Sequence, residues 1–218
     1  MNTRLAVFDC DGTLIDGQAS ICAAMEQAFA ELALTAPHPN DVRRAVGLSL
    51  PMAMQRLLPN AAEPVHRALT EAYKLAFRAA RQRGELQQPL FPGMAALLGS
   101  LREQGWQLAV ATGMSRRGLD HCLAMHGLGG HFVSLQTADD HPSKPHPAML
   151  EAALAEAGVD PRTAVMIGDT AFDMAMARDA GVRAIGVAWG YHAPHELIAA
   201  GAEAVAETPT ELGGLLAA

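Results

Sequence analysis

The sequence predicts an α/β protein, a doubly wound parallel sheet interrupted after its first strand by an all-helical insertion. Three observations carry this. Apolar β-type runs alternate with helical stretches through the second half, most of the helices ending at a glycine. Leu5–Phe8 is a further buried-strand run at the start. Between them, from Gln18 to Gly84, only helical periodicity is found.

The elements follow in order. Leu5–Phe8 reads as the first strand. Ile21, Ala24, Met25, Ala28, Phe29 and Leu32 recur at i, i+3/i+4 spacing, as do Val65, Leu69, Ala72, Tyr73, Ala76, Phe77 and Ala80, giving two amphipathic helices. Between them Asn40 is expected to cap a short helix running to Gly47, and Leu50–Leu58 forms another, with Pro37, Pro39, Pro51, Pro59 and Pro64 as punctuation. Pro89 and Pro92 then suit a stiff hinge before a helix over Met94–Gln104. Strands are expected at Gln107–Ala111, Phe132–Leu135, Thr163–Ile167, Arg183–Ala188 and, weakly, Ala204–Val205. Helices are expected over Pro147–Ala157, Ala171–Ala180 and Pro194–Ala200, each closed by Gly158, Gly181 or Gly201. The expected organisation is a core of residues 1–16 and 89–218 with an inserted helical domain of residues 17–88.

Composition bounds the function. The chain has 218 residues, half of them apolar, and a formal charge of -7 from 16 basic and 23 acidic residues. That balance argues against sequence-independent nucleic-acid or acidic-membrane binding. No apolar run approaches the roughly 18 residues of a membrane span, and Leu5–Phe8 is too short for a signal peptide. Three cysteines, Cys10, Cys22 and Cys122, cannot all pair within the chain. A reducing, cytoplasmic setting is expected, with the protein a monomer or homodimer.

In open α/β sheets ligands sit beyond the carboxyl ends of the strands. Those positions hold Asp9-Cys10-Asp11-Gly12-Thr13-Leu14-Ile15-Asp16, Thr112-Gly113, Ser143-Lys144-Pro145 and Gly168-Asp169-Thr170-Ala171-Phe172-Asp173. Asp9, Asp11, Asp169 and Asp173 would repel one another unless a cation or protons were shared among them. Hard oxygen ligands suit Mg²⁺, which keeps several waters and reaches substrate phosphates. Lys144 adds a positive charge, Thr112 a neutral donor, and the backbone near Gly12, Thr13 and Gly113 a cradle for a dianion. A carboxylate beside such a cradle is placed to attack phosphorus.

These motifs, in this order, resemble the haloacid dehalogenase superfamily, whose signature runs DxDGT[LV]xD, then Thr or Ser, then Lys, then GDxxxD. The insertion point matches members with a C1-type cap, and within them the phosphoglycolate phosphatases. The resemblance implies a Rossmann-like core and a Mg²⁺-dependent phosphomonoesterase acting on a small phosphorylated metabolite. It implies Asp9 as nucleophile and Asp11 as the acid, then base. Asp9, the Asp11 carbonyl and Asp169 would hold Mg²⁺, with Asp173 in support, and Thr112 and Lys144 would bind phosphoryl oxygens. Dehalogenases of the superfamily lack an acid at the Asp11 position, so its presence favours phosphoryl transfer to water. In the cap, Arg43, Arg44 and Gly47 are candidate leaving-group contacts, or else solvated helix residues.

Other readings make different predictions. A sugar-phosphate mutase similar to β-phosphoglucomutases would share the cap and Asp11, but those tend to carry DGV where this chain has Asp11-Gly12-Thr13. A pyrophosphatase would change only the leaving group. A phospho-accepting signalling module would be shorter, without the helical insertion. Asp16 is expected either to cap the first inserted helix or to join the site, and Trp189-Gly190-Tyr191-His192 lies on the active edge without an assigned role. Asp139 and Asp140 are expected to be solvated or structural. His121, His126 and His131 are not spaced to share a helix face, which makes a zinc site there an unfavoured reading.

Overall fold

The computed structural model of the chain describes residues 3–217. Its strands are β1 (Arg4–Phe8), β2 (Trp106–Thr112), β3 (Ser134–Thr137), β4 (Ala164–Gly168), β5 (Arg183–Val187) and β6 (Ala204–Ala206). They form one six-stranded sheet in the order β3-β2-β1-β4-β5-β6, with every adjacent pair parallel. The chain winds outward from β1 in one direction, then returns to β4 on its other side. The loops after β1 and β4 therefore meet where the winding reverses, the position at which such sheets bind ligands.

The apolar run of β1 is continuous because both faces are covered. Ala6 and Phe8 point into a layer with Leu98, Leu101, Leu119 and Leu212 from the helices α5 (Met94–Glu103), α6 (Arg116–Met125) and α10 (Pro209–Ala217). Leu5 and Val7 point to the opposite layer, with Met149, Met174 and Leu197 from α7 (Ala148–Ala157), α8 (Ala171–Asp179) and α9 (Pro194–Ala200).

Between β1 and α5 lie α1 (Gln18–Glu31), α2 (Pro39–Arg43), α3 (Leu50–Leu57) and α4 (Glu63–Gln82). These bury a hydrophobic cluster of their own, centred on Met25, Phe29, Val42, Met54 and Leu69. The two segments that join this helical unit to the sheet run side by side. Ile15 bridges Leu90, Asp16 N–H donates to the Pro89 carbonyl at 2.8 Å, and Phe91 N–H donates to the Leu14 carbonyl at 3.0 Å.

Some elements differ from the sequence expectation. β3 spans Ser134–Thr137 rather than Phe132–Leu135. As an edge strand it is covered less than β1, so it can be polar. Phe132 instead packs on the hydrophobic layer from the approaching loop. Asn40 does not cap α2: Pro39 takes the first helical position, which holds His38 extended, and the His38 ring accepts from Asn40 N–H at 3.1 Å. That helix also ends at Arg43, and turns carry the chain to Gly47 with φ +94°. Gly17, not Asp16, takes the N-cap position of α1, and the Asp16 carboxylate accepts from Gln18 N–H at 3.2 Å from one residue earlier.

Leu69 is fully buried in the helical unit. Its truncation to Ala should cost about 2–5 kcal/mol through lost transfer energy and a residual cavity. Thermal unfolding of Leu69→Ala followed by circular dichroism checks this, with a clear fall in Tm expected.

Candidate active site

β1 delivers Asp9 at its carboxyl end, where Asp9 N–H donates to the Ile167 carbonyl at 2.9 Å and so extends the pairing of β1 with β4. The chain then turns tightly. Leu14 N–H reaches back to the Cys10 carbonyl, and Gly12 takes φ +87°, a conformation that disfavours side chains. Space also requires glycine there, since a Cβ would run into the Asp169 carboxylate and approach Tyr191 Cε2 to 2.6 Å. The turn aims Thr13 at β4, and its hydroxyl donates to Asp169 Oδ1 at 2.8 Å.

Asp169 follows β4, and Asp173 sits in the first turn of α8. There Thr170 and Asp173 form a reciprocal cap: Thr170 N–H and Oγ1–H donate to Asp173 Oδ2 at 3.0 and 2.6 Å, and Asp173 N–H donates back to Thr170 Oγ1 at 3.3 Å. Asp173 Oδ1 remains for Lys144, whose Nζ lies 2.6 Å away. The same Nζ lies 2.8 Å from Asp9 Oδ1. Asp9, Asp169, Asp173, Thr13, Thr112 and Lys144 are all essentially buried, and Asp11 is 9% exposed.

One lysine, paired with Asp9 and Asp173, thus sits in a cluster of four aspartates. Burial raises the Asp9 carboxyl to about 6, with Lys144 pulling the other way. Burial and the Asp9 charge push Asp11 to about 7. Asp169 is held well above the carboxylate range by burial and by its neighbours Asp9 and Asp173. Burial alone would lower the Lys144 pKa, but the charges of Asp173 and Asp9 outweigh it and keep the amine protonated. Asp9 Oδ2 and Asp11 Oδ1 are buried without a hydrogen-bond partner among the described residues. One carboxylate oxygen from each of Asp9, Asp169 and Asp173 falls within 4.8 Å of the others. Hard oxygens so grouped, with too little positive charge, fit a divalent cation.

A cavity of about 590 Å³ opens between the sheet edge and the helical unit, lined at one end by Asp9, Asp11, Thr112 and Gly113. Thr112 Oγ1 accepts from Met114 N–H at 3.3 Å, which leaves its own proton free to donate. The helical unit closes on this edge at several points. The Gly47 and Leu48 carbonyls occupy the space that a Cβ on Gly113 would need. Ser49 N–H donates to Ser143 Oγ at 2.8 Å, and Arg44 pairs with Glu196 of α9 through contacts of 2.6 and 3.2 Å.

Gly47 and Gly113 therefore line the cavity, whereas Arg43 and Arg44 do not. Arg44 is committed to Glu196, and Arg43 Nη1 lies 3.4 Å from Asn40 Oδ1. Sequence reasoning gave no role to the loop after β5, which braces the site. Trp189 Nε1–H donates to the Thr13 carbonyl at 3.1 Å and Tyr191 N–H to Asp169 Oδ2 at 2.9 Å. His192 Nδ1 accepts from Ala171 N–H at 3.1 Å, and burial lowers its pKa. Gly190 is needed because a Cβ there would overlap Asp169. Only its position after a strand hinted at this loop. The reciprocal cap was likewise not read from the sequence, although its local spacing, Thr170-x-x-Asp173, carries the signal.

The fold and site define a class: a doubly wound α/β protein with a buried carboxylate-lysine centre at the carboxyl edge of the sheet. The sequence model of the haloacid dehalogenase-like hydrolase family matches residues 6–187, and the chain belongs to that family. It is 35% identical over 215 residues to a protein of Dickeya dadantii named "Probable phosphatase IndB", covering 96% of this chain and 92% of that one. It is 32% identical over 211 residues to a phosphoglycolate phosphatase of Cupriavidus necator, covering 96% and 91%. Its fold is similar to that of a hydrolase from Pseudomonas syringae, with a TM-score of 0.86 at 25% identity over 100% and 98% of the two chains.

The raised carboxyls fix the sign of a pH effect. A folded-state pKa above the unfolded value means that the folded state binds protons more tightly. Stability is then gained as pH falls through the folded value, and is complete below the unfolded one, 3.8 for Asp11. In chelator, the wild-type Tm should rise as pH drops from about 8 to about 5.5. Asp11→Asn, which removes one buried charge, should raise Tm at pH 8 by about 5 °C and flatten that slope. Calorimetric scans of both proteins across this range check it; a wild-type Tm that falls over the interval contradicts it.

Proposed function

We propose that the protein is a Mg²⁺-dependent phosphomonoesterase that hydrolyses a small phosphorylated metabolite through an aspartyl-phosphate on Asp9. The observation that carries this reading is Asp9 Oδ2, a buried carboxylate oxygen at the cavity end with no hydrogen-bond partner and a lysine against its sister atom. The family, and relatives whose names include phosphatase, support it.

In the first step Asp9 attacks phosphorus, the ester P–O bond breaks, and the leaving alkoxide takes a proton. Asp11 is the donor: at about 7, its carboxyl is protonated for a useful fraction of the time at neutral pH. In the second step Asp11 takes a proton from water, water oxygen bonds phosphorus, and the Asp9–phosphorus bond breaks, which frees phosphate and restores Asp9. Thr112 donates its free hydroxyl proton to a phosphoryl oxygen, and Lys144 offsets charge beside Asp9. The cation would be held by Asp9, Asp169 and the Asp11 carbonyl, with Asp173 at the edge of the set. When bound, it neutralises charge on the transferring group. Asp173 acts through Lys144, which it holds beside Asp9, and Tyr191 and Thr13 orient Asp169.

We assign residues 17–88 as a cap that closes over the substrate and residues 1–16 and 89–218 as the catalytic core. The paired segments at Ile15 and Leu90 would carry the hinge between them. A cytoplasmic setting fits a chain in which no helix among the described residues is long and apolar enough to cross a membrane, and whose cysteines are all free.

Asp9→Asn should abolish phosphate release from p-nitrophenyl phosphate, at least 10³-fold in kcat, while leaving the circular dichroism spectrum unchanged. EDTA should suppress the wild-type rate and added Mg²⁺ restore it. Steady-state phosphate assays check both; an active Asp9→Asn enzyme sinks the mechanism.

A further inference from the structure

The far end of the cavity is built unlike the end that holds Asp9. Along α4, Tyr73, Phe77 and Arg81 follow at i, i+4 and i+8 and all line the cavity. At a rise of about 1.5 Å per residue, Arg81 stands about 12 Å beyond Tyr73 along the helix axis. Tyr73 marks the catalytic end, since burial and the nearby Asp11 charge together hold its phenol protonated. Its ring stacks on Phe77 with centroids 5.7 Å apart, and the Arg81 guanidinium lies 6.0 Å from the Phe77 centroid. Ile21 and Met25 of α1 add to this apolar wall.

At the rim, Arg78 and Arg81 of α4 approach Arg117 of α6 across the gap between cap and core. All three line the cavity, and none forms an ion pair among the described residues. Burial and the charges of Arg117 and Arg78 lower the Arg81 pKa, so these guanidiniums repel one another. Arg81 Nε is buried without a hydrogen-bond partner. Among the described residues lining the cavity away from Asp9 and Asp11, the acidic group is Asp139, whose Oδ2 accepts from Arg116 N–H at 2.8 Å. Like charges held together by two separate elements, with a donor left over, are matched by an anion between them.

Resting on the phosphatase reading above, we propose that the preferred substrate has an elongated, apolar or aromatic leaving group whose far end carries a second anion, held by Arg78, Arg81 and Arg117. Glycolate does not meet this description. Its carboxylate lies only a few bonds of about 1.5 Å from the phosphate, too near to reach the rim. The aromatic wall would also be left facing water.

Phosphate release from three esters tests the proposal: 4-(carboxymethyl)phenyl phosphate, its uncharged congener 4-propylphenyl phosphate, and 2-phosphoglycolate. The wild-type kcat/KM for the carboxymethyl ester should exceed each of the others about tenfold or more. Arg81→Gln and Arg117→Gln, on different helices of different domains, should each reduce the preference for the carboxymethyl over the propyl ester about tenfold. Arg81→Lys should retain part of it. A preference for 2-phosphoglycolate, or a carboxymethyl-to-propyl ratio unchanged in both glutamine variants, overturns the proposal and leaves the phosphatase reading intact. No release from any ester, p-nitrophenyl phosphate included, overturns both.

Discussion

The Lys144 ammonium lies between Asp9 and Asp173, 2.8 and 2.6 Å from their carboxylates, and it is buried with them. Removing either partner of a buried pair leaves an uncompensated charge, at a cost of about 3–5 kcal/mol. Even with the pair intact, the centre has more negative than positive charge. Asp169 and Asp11 are buried beside it, and burial first, then the charges of the neighbouring aspartates, raise both carboxyls. A site in this condition is poised to take up positive charge.

The surrounding structure keeps these charges in place despite their repulsion. β1 and β4 are adjacent, so the loops carrying Asp9 and Asp169 cannot separate. Thr13, Thr170 and the Tyr191 backbone each hold a carboxylate in one orientation. Glycines at 12, 168 and 190 let backbone or carboxylate approach where any Cβ would collide. The helical unit closes on this edge through backbone contacts and one ion pair. It seats its Gly47-Leu48 turn on Gly113 and fastens to the core through Arg44 and Glu196. Arg44 is therefore better understood as a closure contact than as a substrate ligand.

Much of this was legible in the sequence because it is local. Continuous apolar runs mark strands covered on both faces, and Asp9, Asp11, Thr112, Lys144, Asp169 and Asp173 all follow strands or lie in the loops that do. Tertiary context decided the rest. β3 is polar because it is an edge, which an apolar pattern cannot reveal. His38 rather than Asn40 caps α2 because Pro39 fixes the first helical residue. Arg43 and Arg44 sit beside the cap turn in sequence, yet their partners, Asn40 and Glu196, lie away from the cavity. The rim of Arg78, Arg81 and Arg117 joins residues of α4 and α6, far apart in sequence, and helical spacing alone gave no reason to single them out.

On the proposed reading, the carboxylate centre requires one divalent cation. Isothermal titration of chelator-treated protein with Mg²⁺ tests it most directly. Saturable binding of one Mg²⁺ per chain is expected, lost in Asp169→Asn. Absence of saturable binding, or binding of equal strength in Asp169→Asn, would contradict it.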